Sequence, residues 1–296
     1  MIENFADRLL RAIERAGSPV CVGIDPVYER LPSDFDNVPD PVRAIEHFSR
    51  IVLEIVASIV PAVKVQIAYF ERYGSEGVSA YERIVADALS AGLIVIGDVK
   101  RGDIGSTVRA YAAGHLEREN SPDAITVNGY FGADGLAPFI ESAGRTGKGI
   151  FIIVRTSNPS AVEVQDFTDS QGKRFYEHLA EQVASIGDGE GLIGEKGYSC
   201  IGAVVGATYP AEVQRLRKVM PRQIFLLPGY GAQGATAKDC LSGFKHDKTG
   251  AIVSASRSVI YAYQQERLAT THWKDAIAQA ARDLADDIRQ TLDSEM

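Results

Sequence analysis

The chain has 296 residues, 45% hydrophobic and 24% charged, with a formal net charge of −8 at pH 7. That composition is ordinary for a globular protein with a full core. The acidic balance argues against non-specific nucleic-acid or anionic-membrane binding, both of which need basic surface. An anionic small substrate remains compatible, because a local cluster of Lys and Arg overrides the global sign. Cys21, Cys200 and Cys240 show no CxxC spacing, so neither a disulfide framework nor a zinc site is expected. The first residues, Met1 to Asp7, lack the apolar core of a signal peptide, and no apolar run approaches a membrane span. A reducing cytoplasm is the expected location.

In chain order, a helix is expected over 5–16, ahead of the first apolar, β-rich run at 20–24. Further runs follow at 62–66, 93–97, 124–127, 149–154, 200–205, 223–227 and 251–254. Helix-like segments separate them at 41–60, 77–91, 103–117, 133–145, 173–186 and 211–219, and a last helix spans 273–292. Strands alternating with helices imply βαβ units and a parallel sheet. Eight runs spread over almost the whole chain favour a single (β/α)₈ barrel occupying 1–296, with an extra N-terminal helix and a C-terminal helix. An open doubly wound sheet is the alternative. The polar stretch 156–173 and the Gly-rich 187–197 are expected to be loops.

In such barrels chemistry sits at the C-terminal ends of the strands. The first run ends in Asp25, and the second carries Lys64 inside Ala-Val-Lys-Val-Gln. A Lys in apolar surroundings is rare unless paired, although its head could instead snorkel out to solvent. The third run gives Asp98 and Lys100, with Asp103 and Thr107 close behind. Residues two apart on a strand share a face, and residues four apart on a helix do so as well. Asp98 and Lys100 are therefore expected to point one way, as are Asp103 and Thr107. Two like charges ~4 Å apart at an effective dielectric of ~20 repel by about 4 kcal/mol, so the paired carboxylates need a reason. Two readings stay open at this point: ordinary strand-to-helix punctuation with Asp103 as an N-cap, or a reactive charge array.

The fifth run leads into Arg155-Thr156-Ser157-Asn158-Pro159, and the seventh into Pro228-Gly229-Tyr230-Gly231-Ala232-Gln233-Gly234. The eighth leads into Ser254-Ala255-Ser256-Arg257. A Gly-rich turn presents backbone N–H groups to anions, and Arg257 supplies a bidentate clamp. The loops after strands seven and eight are the frequent phosphate site of these barrels.

Taken together these segments resemble the orotidine 5′-phosphate decarboxylase family, in its longer bacterial-type (type 2) branch. The matching stretches are Cys-Val-Gly-Ile-Asp (21–25), Val-Lys-Val-Gln-Ile-Ala-Tyr-Phe-Glu (63–71), Asp-Val-Lys-Arg-Gly-Asp-Ile-Gly-Ser-Thr (98–107), Arg-Thr-Ser-Asn-Pro-Ser-Ala (155–161), Pro-Gly-Tyr-Gly-Ala-Gln-Gly (228–234) and Ser-Ala-Ser-Arg (254–257). The resemblance implies a barrel that forms a homodimer with shared active sites. It also implies cofactor-free, metal-free conversion of orotidine 5′-monophosphate to uridine 5′-monophosphate and CO₂, the last step of de novo pyrimidine synthesis.

Carried over residue by residue, Lys64, Asp98, Lys100 and Asp103 form the family's charged tetrad, with Lys100 donating the proton to C6. Asp103 and Thr107 reach into the partner's site. Asp25 and Lys64 hold ribose hydroxyls, and Ser157 holds the pyrimidine. Gln233 and Arg257 hold the phosphate, with Gly231 and Gly234 shaping its turn. Some relatives carry Gly where this chain has Ser256, and the turn continues as Ala235-Thr236-Ala237 without a second Gly. Roles within 162–197 do not transfer. Two rivals remain. A Mg²⁺-dependent sugar-phosphate decarboxylase or isomerase of the same superfamily would need a carboxylate where Lys64 stands. A catalytically silent nucleotide-binding barrel would be expected to have lost one of the four charges.

Overall fold

Runs that are apolar on both faces have to be buried between two layers, and a parallel sheet wrapped by helices is the arrangement that does this. The structure, a computed structural model, describes residues 2–231 and 234–296. Its strands are β1 Val20–Ile24, β2 Ala62–Gln66, β3 Ile94–Arg101, β4 Ala124–Asn128, β5 Gly149–Arg155, β6 Ser199–Val205, β7 Gln223–Pro228 and β8 Ala251–Ala255. They pair in sequence order, all in parallel, and β8 closes onto β1. The closed (β/α)₈ barrel forms, and the doubly wound sheet does not. Cys21, Cys200 and Cys240 are free and buried, as small core side chains.

Helix ends follow local chemistry. Asp40 caps the helix Pro41–Val56 by accepting from the N–H groups of Val42 and Arg43, and Pro41 at the first position lacks an N–H to satisfy. This helix stops at Val56, short of the expected residue 60. Two other expectations need correction. β3 runs on through Asp98, Val99, Lys100 and Arg101 instead of ending at residue 97. The helix after it starts at Gly105, with Ile104 as N-cap, and runs to Ala112 before a π-helical turn over Ala113–Glu117. Asp103 is therefore not its cap; its Oδ1 accepts from the neighbouring Ile104 N–H at 2.8 Å.

The loop expected at 156–173 is partly folded. It contains a turn at Pro159–Ala161, a helical turn Val162–Gln165 and an antiparallel bridge between Thr168 and Arg174. Arg155 is the reason. Its buried guanidinium pairs with Asp166 at 2.6 Å and Glu212 at 2.8 Å, while Gln165 accepts from the Thr156 N–H and donates to its hydroxyl.

The N-terminal helix Phe5–Ala16 closes the end of the barrel where the strands begin. Phe5 meets Phe151 edge to face with ring centres 5.8 Å apart. Gly149 opens β5 because a Cβ there would lie 2.2 Å from the Phe5 ring. The Gly-rich 187–197 stretch is tied to this helix: both Asp7 carboxylate oxygens accept backbone N–H groups, from Glu195 and Lys196, at 2.8 Å. Removing a buried Phe side chain costs about 3–5 kcal/mol. Phe5→Ala should lower unfolding stability by that amount in urea titration while leaving KM unchanged. A KM shift as large as the stability loss would show that this end of the barrel communicates with the other.

Candidate active site

Period-two alternation sends every second side chain of a strand into the barrel, and near the C-terminal ends those positions are polar. Lys64 and Gln66 on β2, Asp98 and Lys100 on β3, Thr126 on β4, Arg155 on β5 and Ser254 on β8 line one cleft of about 480 Å³. Asp25, Tyr69, Thr156, Ser157, Pro228, Gly229, Tyr230, Ser256 and Arg257 complete its wall. The volume suits a small-molecule ligand. A larger groove of about 690 Å³ lies beside Tyr81, Arg101 and His115, where the strand-end charge, Arg101, is paired with Glu71 and the Asp98 array takes no part.

Asp98 is the hub of the cleft. Its side chain is 6% exposed as a residue, and Lys64 beside it 7%. Asp98 accepts four hydrogen bonds: Oδ2 from Lys64 Nζ and Gln66 Nε2, each 2.8 Å, and Oδ1 from Lys100 Nζ at 2.6 Å and Thr126 Oγ1 at 2.9 Å. Lys64 thus pairs internally and does not snorkel. The Asp25 charge also favours the Lys64 ammonium, and Asp25 Oδ1 is buried and has no hydrogen-bond partner among the described residues. Lys100 differs, with half of its side chain (51%) open to the cleft.

Burial alone would drive the Lys64 pKa down, but the charges of Asp98 and Asp25 outweigh it and the net value lies above the ordinary 10.5. Burial would likewise raise Asp98, but Lys64 and then Lys100 hold it well below the ordinary 3.8. Cys21, under the same strand end, is pushed up to about 12 by burial and stays a neutral thiol.

At the other end of the cleft, Arg257 opens the short helix Arg257–Ile260 and makes no ion pair among the described residues, so its guanidinium is available to an anion. Ser256 turns its hydroxyl onto β1: a Cβ on Gly23 would sit 1.8 Å from Ser256 Oγ. Ser256 is thereby accommodated by a Gly on the adjacent strand.

Of the residues expected from the sequence, the cleft gathers Asp25, Lys64, Asp98, Lys100, Ser157 and Arg257. Asp103 and Thr107 lie outside it, Thr107 exposed and Asp103 half-buried. Gly231 borders a neighbouring cavity with Ser258 and Asp287, Gly234 has a left-handed φ of 88°, and Gln233 lies outside the described residues. Within one chain the tetrad is thus a triad. Gln66 and Thr126 were not foreseen as site residues. Gln66 stands two positions from Lys64, so strand periodicity alone could have flagged it.

A cationic end at Arg257, a preorganised ion array and strand ends that carry both define a (β/α)₈-barrel enzyme acting on an anionic small molecule. Residues 18–271 match the sequence profile of the orotidine 5′-phosphate decarboxylase / HUMPS family, and the chain belongs to that family. It is 41% identical to the orotidine 5′-phosphate decarboxylase of Rhodopirellula baltica, over 94% of this chain and 96% of that one. It is 36% identical to that of Clostridium acetobutylicum, over 97% and 99%. The structure of Leishmania donovani OMP decarboxylase superimposes with a TM-score of 0.76 at 26% identity, covering 98% of this chain and 99% of that one.

The pKa shifts fix a pH dependence. The lowered Asp98 value contributes stability that is complete above about pH 5 and is lost progressively as the pH falls from the ordinary 3.8 down through the lower folded value. The raised Lys64 value contributes stability that is complete below its ordinary 10.5 and is lost only as the pH rises above that. Melting temperature should fall more steeply below about pH 4 in wild type than in Asp98→Asn. Parallel acid profiles for the two proteins would remove Asp98 from the ionised hub.

Proposed function

We propose that the Lys64–Asp98–Lys100 array carries out the decarboxylation of orotidine 5′-monophosphate to uridine 5′-monophosphate and CO₂, without metal or cofactor. The protein is a carboxy-lyase of pyrimidine nucleotide biosynthesis. The observation that carries the residue roles is the half-exposed Lys100 side chain, whose ammonium lies 2.6 Å from a buried carboxylate. Loss of CO₂ from C6 leaves a poorly delocalised carbanion, and the most demanding reactions need barrier reductions of roughly 23 kcal/mol. Preorganised charge is the main lever for such a step. Lys100 stabilises the developing carbanion and then gives it the proton, while Asp98 faces the departing carboxylate.

The four donors on Asp98 spread its charge, so stabilisation of the transition state by Lys100 outweighs repulsion of the bound substrate. Lys64 and Asp25 are placed to hold ribose hydroxyls, the buried Asp25 Oδ1 being an acceptor without a hydrogen-bond partner among the described residues. Ser157 faces the pyrimidine. Arg257, with Gln233 as the family resemblance implies, takes the phosphate, and that remote binding energy orients the ring. A divalent cation on the second strand would have to sit where the Lys64 ammonium already pairs with Asp98, which disfavours the Mg²⁺-dependent reading. Activity unaffected by a chelator is the expected result.

Asp103 and Thr107 acquire a role if a second copy approaches. Beside them, Ile104 is 58% and Tyr130 69% exposed, with Phe131 packed edge to face on Tyr130. Such an apolar patch next to solvent-facing polar groups suits a homodimer in which each chain completes its partner's site. Residues 1–296 serve as one catalytic domain, in the cytoplasm. No helix among the described residues is long and apolar enough to cross a membrane.

Lys100→Ala should abolish turnover while uridine 5′-monophosphate still binds, read by a spectrophotometric assay and by calorimetry. Retained turnover removes Lys100 as the proton donor. Arg257→Ala should act chiefly on KM, and an unchanged KM would place the phosphate elsewhere. Mixing the separately inactive Lys100→Ala and Asp103→Asn proteins should restore activity, because one hybrid site then holds an intact Lys100 and an intact Asp103. No recovery in a mixture shown to exchange subunits would mean that each chain works alone.

A further inference from the structure

Lys100 has φ of 46°, a left-handed backbone in a residue that is neither Gly, Asn nor Asp, and such strain persists only where the surroundings impose it. The cause is visible in the strand register. Gly97 pairs with Ile125 and Arg101 with Val127, so the three residues Asp98, Val99 and Lys100 face the single residue Thr126. This is a β-bulge, a device that re-aims side chains beside active sites. The Thr126 side chain fills the gap in the ladder. Its Oγ1 accepts the Lys100 backbone N–H at 3.0 Å and donates its one hydrogen to Asp98 Oδ1 at 2.9 Å. That carboxylate oxygen is the one that Lys100 Nζ also reaches. Thr126 is itself buried, at 1% exposure, so water does not substitute for the contact.

We propose that Thr126 is the positioning residue for proton transfer: one hydroxyl locks the left-handed backbone of Lys100 and the carboxylate that aims its ammonium. The inference rests on the decarboxylase reading and adds to it a residue that acts through its contacts with Lys100 and Asp98. Lys64 and Gln66 restrain the other oxygen of Asp98, so among the described residues Thr126 is the side chain that couples Asp98 to the Lys100 main chain. Valine has the same shape and β-propensity but neither accepts nor donates. It leaves a buried N–H unpaired and frees the bulge to relax, which displaces the ammonium from C6.

The test compares wild type, Thr126→Val and Thr126→Ser on orotidine 5′-monophosphate. Displacement of a reacting group by about 1 Å costs on the order of 100-fold. Thr126→Val should therefore lose about 10- to 100-fold in kcat, with KM and uridine 5′-monophosphate affinity changed by less than about threefold. Thr126→Ser, which keeps the hydroxyl, should recover most of kcat. Should the valine protein fail to fold, Thr126→Ala carries the same expectation. A folded Val or Ala variant with kcat within about threefold of wild type overturns the proposal, as does a serine variant as slow as valine. So does a loss seen equally in KM. Wild type inactive on this substrate would instead sink the functional reading on which the proposal rests.

Discussion

A carboxylate in the interior of a barrel is costly unless its charge and lone pairs are matched, and Asp98 meets that condition with two ammonium groups, an amide and a hydroxyl. The rest of the cleft follows from it. Two lysines that would repel each other share one counter-ion. Lys64 becomes tolerable at 7% exposure, and Lys100 is drawn to the same carboxylate while its other side stays open. Removing the carboxylate would leave a buried cation with Asp25 as its remaining anionic neighbour, a change that commonly costs about 3–5 kcal/mol. The hub is thus structural and chemical at once.

Much of this was legible in the sequence. The eight runs, their order and the barrel they form follow from apolar periodicity, and the strand-end rule placed Asp25, Lys64, Asp98, Lys100 and Arg257 around one cleft. What escaped has identifiable physical causes. Strand β3 was expected to end at residue 97 because nothing in Asp-Val-Lys-Arg signals a left-handed residue; the conformation of Lys100 is imposed by β4 across the sheet. Of the two readings of Asp103, the helix cap does not hold, because Gly105 takes a φ of 60° and starts the helix later. The stretch 156–173 read as polar loop because its organiser, Arg155, gathers Asp166 and Glu212 from separate parts of the chain. Thr126 was a lone hydroxyl in an apolar strand, a signal present but not used.

The Arg155 cluster and the Asp98 hub solve one problem in two ways. Both bury charge near the mouth, yet Arg155 is saturated by two carboxylates and carries cation–π contact with Tyr176 at 4.8 Å. It holds the segment bearing Thr156 and Ser157 in place. The Asp98 hub leaves one ammonium half free. That contrast separates an ion network that fixes a loop from one with a group available to react.

The two ends of the barrel share no side chain: the floor is Phe5 on Gly149 and Phe151, the mouth is charge. Selection can therefore act on them separately. A tight apolar floor is a reserve of folding free energy, and natural chains accumulate change only as far as such a reserve allows. The charged mouth, strained at Lys100, draws on it. Lineages that loosen the floor would lose their freedom to vary the mouth before they lost activity itself, so the evolvability of this site is set at the opposite end of the molecule.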